Sequence, residues 1–196
     1  MKVLFSSILI LVSLTCNAQE MTNDSLPYAS IPEAFENYTS GTVVARMIDG
    51  LGFRYYWATH GITEDNLKYE PGNEGRTIDQ TLDHIYGLSA VILNAAKKMP
   101  NDRTTQPVKL EGLERRQKTL ENLKEASTLF ASSTDLNEHH IIFETKNGTA
   151  QYPFWNGING PIEDAIWHAG QIVVMRRSAG NPINPRVNVF LGKLNE

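Results

Sequence analysis

Two side chains able to hold a cation stand four residues apart in the stretch GPIEDAIWHAGQIVVMRR, Gly160 to Arg177: the carboxylate of Asp164 and the imidazole of His168. A helix turns by about 100° per residue, so the pair lies roughly 40° apart on the cylinder and one turn from each other, within reach of a single point. Both flank an apolar arc of Ile162, Ala165, Ile166, Ala169, Ile172 and Val173. Polar groups facing a core are expensive to desolvate unless something binds them, and a metal ion would do so. A plainer reading fits the same residues. Asp164 in a first helical turn complements the helix dipole without any metal, and a lone helical histidine can be a hydrogen-bonded structural residue. A third ligand from another element would shift the balance toward a metal.

His84 is the candidate for that third ligand. It lies in a segment where Thr77-Ile78-Asp79-Gln80 reads as a capping box, opening a helix that should reach about Lys98 before Pro100 ends it. One apolar stripe is Ile78, Leu82, Ile85, Ile92 and Ala96; beside it run Leu88, Val91 and Ala95, and His84 belongs to this second stripe. It should therefore point inward, or close to it. Two neutral imidazoles and one carboxylate leave coordination positions open to water or substrate. That set suits catalytic zinc or non-haem iron, and nickel and manganese also accept it. Of the other histidines, His60 precedes Gly61 at an expected helix end and reads as structural, while the adjacent His139 and His140 are expected to be exposed.

The elements that must position these residues follow from spacing and turn chemistry. The helix carrying Asp164 and His168 is expected to open with Pro161 in its first turn and to stop at Gly180 and Pro182. Upstream, Ser30-Ile31-Pro32-Glu33 reads as a capping box for a short helix through about Tyr38, broken by Thr39-Ser40-Gly41. An amphipathic helix follows from Thr42 to about His60, with Val44, Met47, Leu51, Tyr55 and Ala58 on one face. Gly61 to Arg76 is a loop long enough to be a binding element or lid. A third helix, about Leu110 to Ser132, should turn Leu110, Leu113, Leu120, Leu123 and Phe130 inward and a charged face from Glu114 through Glu125 outward. Asn147-Gly148 between two β-prone runs signals a hairpin within Ile141 to Trp155, and the tail holds one apolar run, Val187 to Leu191. The expected fold is all-α, a four-helix bundle with a small β-hairpin between the third and fourth helices. Tyr56, Tyr86 and Trp155 are candidates for lining a substrate pocket, although aromatic residues in a small bundle are more often plain core.

Composition narrows the function classes. The chain of 196 residues is 41% hydrophobic, ordinary for one globular domain, and its net charge of −4 lacks the basic excess expected of nucleic-acid or anionic-membrane binders. MKVLFSSILILVSLTCNAQE has one lysine, an apolar run from Val3 to about Leu14 and a small-residue site ending at Ala18. That is the plan of a secretory signal peptide. Lipidation at Cys16 is the weaker reading, because Ser13-Leu14-Thr15 matches poorly the small-residue box that precedes such a cysteine. Cleavage after Ala18 removes the only cysteine, so disulfides, thiolate ligands and a cysteine nucleophile are excluded from the mature chain. The expected organisation is residues 1–18 as signal peptide, 19–41 as a polar segment with a short helix, and 42–196 as the bundle domain. The product would be exported, periplasmic or secreted, with no membrane association after cleavage.

Taken together, these segments resemble the DinB/YfiT-like superfamily, helical bundles with a metal-binding histidine triad. In that family one histidine lies on the second helix and an H-x-x-x-H pair lies on the last, continuing as H-R-G-Q-[IV]. TIDQTLDHIYGL places His84 at the first of these, and EDAIWHAGQI places His168 at the last, followed by Gly170, Gln171 and Ile172. LKYEPGNEGRTI is similar to the family's approach to the second helix, and the similarity runs from about Val43 to Pro182. Two positions depart: Asp164 stands for the first histidine of the pair, and Ala169 for the arginine. The resemblance implies a divalent metal on His84, Asp164 and His168, with Asp164 adding a harder, charged donor. It also implies metal-assisted hydrolysis or thiol transfer on a small molecule, and makes a homodimer an expectation. Export counts against thiol transfer, because small thiols are held reduced mainly in the cytoplasm. A non-catalytic envelope binding protein of the same fold is the alternative.

Overall fold

The computed structural model describes residues 26–72 and 74–196, so the expected signal peptide, Cys16 and Ala18 lie outside the described residues. The chain is mostly helical with small sheets. Helix α1 spans Ser40–Thr59, a single turn α2 spans Glu64–Leu67, α3 spans Ile78–Ala96 and α4 spans Gly112–Ala131. A last helical stretch comprises α5 (Trp155–Gly157), a wide π turn at Ile158–Ile162, and α6 (Glu163–Ser178). α1 and α3 each pack on both α4 and α6. Their shared core includes Ile48, Leu51, Phe53, Ile85, Ile92, Leu120, Leu123, Phe130 and Ile172, all buried. No helix among the described residues is long and apolar enough to cross a membrane.

Capping decides where the helices begin. At α3 the Thr77 hydroxyl accepts from Gln80 N–H while the Gln80 side chain accepts from Thr77 N–H, the reciprocal box that the sequence signals. The box at Ser30, by contrast, opens no helix, and residues 31–35 run without regular structure. Tertiary partners take the groups a helix would have used. Ile31 N–H donates to the Gly192 carbonyl, Trp57 Nε1 donates to the Ala29 carbonyl, and Arg46 donates to the Pro32 carbonyl. Thr39 is instead the cap of α1, which therefore begins at Ser40 and not after a break. This N-terminal strap is anchored by Tyr28, whose ring lies where a Cβ on Gly52 would come within 2.5 Å. Its hydroxyl donates to the buried Asp49 carboxylate at 3.0 Å.

Three further expectations are corrected. Pro161 sits inside the helical stretch, which starts six residues earlier at Trp155. A proline in a regular α-helix clashes with the carbonyl four residues back and cannot donate, and the wide turn around Pro161 accommodates both effects. On α4, Leu113, expected to face inward, is 72% exposed, while Arg115 and Arg116, assigned to the outer charged face, are buried. Arg115 is tied to Asp79 on α3, and Arg116 donates to the Thr59 hydroxyl and the Tyr56 carbonyl on α1. His139 is likewise buried, bonded to the Ala95 carbonyl through Nδ1 and to the Ser133 hydroxyl through Nε2, with Phe130 and Phe154 against its ring. Adjacent side chains do point apart, but here one of the two directions is the core.

Strands β2 (Ile141–Thr145) and β3 (Gly148–Tyr152) pair antiparallel around the turn Lys146-Asn147, with Thr145 opposite Gly148. β1 (Asn101–Asp102) adds a parallel strand on the far side of β2, which the sequence did not signal. The tail forms a two-stranded ribbon, β4 (Val187–Asn188) and β5 (Lys193–Leu194), and leaves Val189, Phe190 and Leu191 of its apolar run exposed.

Arg176 joins α6 to α1. It is buried, and its Nη1 reaches the carbonyls of Trp57, Ala58 and His60 at 3.3, 3.0 and 2.9 Å. Nε and Nη2 bond to Asn181, which follows Gly180 at φ 78°. The last carbonyls of α1 thus find their donors on another helix. His60 contributes by stacking on Tyr56 and Trp57. Arg176→Met should lower unfolding free energy by about 3 kcal/mol, because buried carbonyls lose a charged donor; urea titration measures it. A second expectation concerns alkaline pH. Desolvation raises the pKa of Tyr28 and of Tyr55, so unfolding releases their protons at a lower pH than the folded state does. Their contribution is complete below the unfolded tyrosine pKa of about 10 and is lost as pH rises above it. Urea midpoints measured from pH 8 to 11 should fall above pH 10, with a smaller fall in Tyr28→Phe.

Candidate metal centre

Helix α3 presents His84, and α6, packed against it, presents Asp164 from its first turn and His168 one turn further on. Asp164 lies between the two rings. Its Oδ2 is 3.0 Å from His84 Nε2 and its Oδ1 is 3.3 Å from His168 Nε2. The imidazole centroids are 4.7 Å apart and the rings nearly perpendicular, at 88°. One ligand atom from each residue lies within 4.8 Å of the other two. The cluster is half-buried, with side-chain exposures of 32% for His84, 40% for Asp164 and 14% for His168, so solvent or a ligand can reach it.

The hydrogen bonding tests whether a cation fits. Gln171 Oε1 is 2.7 Å from His168 Nδ1, and an amide oxygen accepts only if Nδ1 carries the proton. A neutral ring in that tautomer turns the Nε2 lone pair toward the point shared with Asp164 and His84, where a metal ion would accept it. Two imidazoles, one carboxylate and an outer carbonyl-type acceptor orienting one ring make a donor set that suits a borderline divalent ion. The His/Asp/His group can therefore bind a metal ion.

The structure thus brings together the three residues singled out by spacing and motif. It does not bring the proposed pocket aromatics to them. A groove of about 650 Å³ runs beside His168, walled by Pro71, Arg76, Thr81, Trp167, Gln171 and Val174, and Tyr56, Tyr86 and Trp155 are not among its lining residues. Tyr56 is buried against Trp57, His60 and Arg116, Tyr86 is half-buried on α3, and Trp155 is 75% exposed. Gln171 could have been singled out, since it stands three residues after His168 on the same face. Trp167 and Arg76 carry no such signal. Their juxtaposition depends on how the Gly61–Arg76 segment folds back onto α6.

Fold and site define a mostly helical protein whose His/Asp/His group, shared between two helices, can hold a metal ion. The chain belongs to the DinB family: the family model matches residues 54–188, a span that includes all three residues of the group. No curated protein and no solved structure matches the chain.

Because the Asp164 carboxylate is shared by both imidazoles and partly exposed, it is not an unpaired buried charge. Asp164→Ala in metal-free protein should change unfolding free energy by no more than about 1 kcal/mol. A loss of several kcal/mol in urea titrations would show that the cluster is a structural tie between α3 and α6.

Proposed function

We propose that the chain is an exported metalloprotein of the DinB family, built as a four-helix bundle. In this reading His84, Asp164 and His168 hold one divalent ion, zinc, nickel, iron or manganese, and the site performs hydrolysis or group transfer on a small molecule. The observation that carries the reading is the convergence of three ligand atoms from α3 and α6 within 4.8 Å of one another. Export rests on the sequence of residues 1–18 alone.

Held by His84, Asp164 and His168, a divalent ion would supply a bound water or thiol of lowered pKa and a Lewis-acid contact for a substrate oxygen. The chain's own residues do the rest. Gln171 fixes the His168 ring through Nδ1, which keeps Nε2 toward the shared point. Asp164 adds a negative charge that lowers the net charge of a loaded site relative to three imidazoles, favouring harder ions and weakening Lewis acidity. The groove offers Trp167 and Val174 as apolar contacts and Arg76 as a cation, features that suit a substrate with an apolar body and an anionic group.

The second reading is a non-catalytic envelope protein that binds a small molecule in the same groove. It is favoured by the 3.0 Å contact of Asp164 with His84, which the carboxylate makes without an ion. Metal content separates the two. Protein purified without chelators should carry close to one equivalent of a divalent metal by elemental analysis, and His84→Ala and His168→Ala should each lose it. Protein that arrives empty and takes up none of the four ions at micromolar concentration supports the second reading.

A further inference from the structure

A cavity of about 140 Å³ lies between the end of α1, the turn α2 and the start of α4. None of its lining residues belongs to the His/Asp/His group. Arg115 and Arg116 help form its wall, and both are almost fully buried, at 1% and 5% exposure. Arg115 is tied to Asp79 through Nη2. Its Nη1, though enclosed, has no hydrogen-bond partner among the described residues, and Asp83 stands 3.8 Å away, beyond hydrogen-bonding range. An enclosed guanidinium N–H without an acceptor is costly, and native proteins normally give it one.

A second donor group opens on the same space. Gly112 and Leu113, the first two residues of the 20-residue helix α4, line the cavity. The residue before them, Glu111, makes no side-chain capping bond. The start of α4, with its positive dipole end, therefore lies beside the cavity without a capping bond from the Glu111 side chain. Ile62, Leu67 and Leu82 give the same cavity apolar lining.

We infer that this cavity binds a small carboxylate, with its charged group between Arg115 and the α4 N-terminus and a short apolar body against Ile62, Leu67 and Leu82. A carboxylate offers two oxygens to a guanidinium fork and to helix N–H groups, and its body covers the apolar wall. Phosphate fits the donors less well. Its further oxygens would face apolar carbon unpaired, and its second charge would meet Glu64, the acid among the lining residues.

The test is a titration of the protein with sodium butyrate, and separately with inorganic phosphate, at constant ionic strength, read by calorimetry and by melting temperature. Butyrate should bind saturably and raise the melting temperature, with phosphate weaker. Leu113 is exposed and lies in the first turn of α4, so Leu113→Glu should fold, its charge suiting the helix dipole while repelling the ligand. Leu113→Glu should bind butyrate at least about tenfold more weakly than Leu113→Gln, which keeps the size without the charge. Unsaturable butyrate binding, phosphate binding in preference to butyrate, or equal affinity in the two variants would each overturn the assignment. Metal content should be the same in all three proteins, so the result is independent of the metal centre.

Discussion

The constraint on which the rest depends is the burial of Arg176 against the end of α1. Two carbonyls of that helix and that of the following His60 accept from one guanidinium carried by α6, so the two helices cannot slide past each other without exposing unpaired acceptors. Fixing α6 against α1 also fixes where its first two turns fall along α3. Asp164 and His168 are in those turns, and His84 is on the facing helix. A tie made near the end of α6 thereby sets the geometry of a site at its start. The strap around Tyr28 and the turn at α2, joined through Asn66 to Asn181, hold the same region from outside.

Charge in this molecule is placed where apolar patterning alone would put carbon. Arg115, Arg116 and Arg176 are all buried, and each satisfies groups on a different element. Burying a guanidinium is costly unless its donors are used, and its planar fork lets one side chain serve several carbonyls or a carboxylate. These arginines are therefore joints between helices. The half-buried His/Asp/His group differs in kind. Its members lie close to one another, remain partly accessible, and sit beside a groove, whereas the arginine joints exclude water.

Local signals decide helices where the chain can satisfy itself. The Thr77/Gln80 box, the apolar stripe of α3 and the stop at Gly180 all depend on neighbours in sequence, and all are legible there. A hairpin is signalled by Asn147-Gly148, but the turn falls one residue earlier, at Lys146-Asn147, with Gly148 opening β3. Where tertiary partners compete for the same backbone groups, local signals lose. The Ser30 box was outbid by bonds to Gly192, Trp57 and Arg46, and Pro161 was absorbed in a wide turn once the flanking residues packed.

The sequence by itself determined the helical periodicities, the spacing of Asp164 and His168, and the motif that adds His84, because each is a matter of residue type at fixed local separation. Only the tertiary structure decided that α3 faces α6, that the Asp164 carboxylate lies between two rings, and that Gln171 orients one of them. It alone decided that two arginines read as solvated, and one histidine read as exposed, lie inside. The physical reason is that a polar residue's burial depends on whether distant groups can meet its hydrogen-bonding demand, and that demand is met across elements whose neighbours no local pattern records.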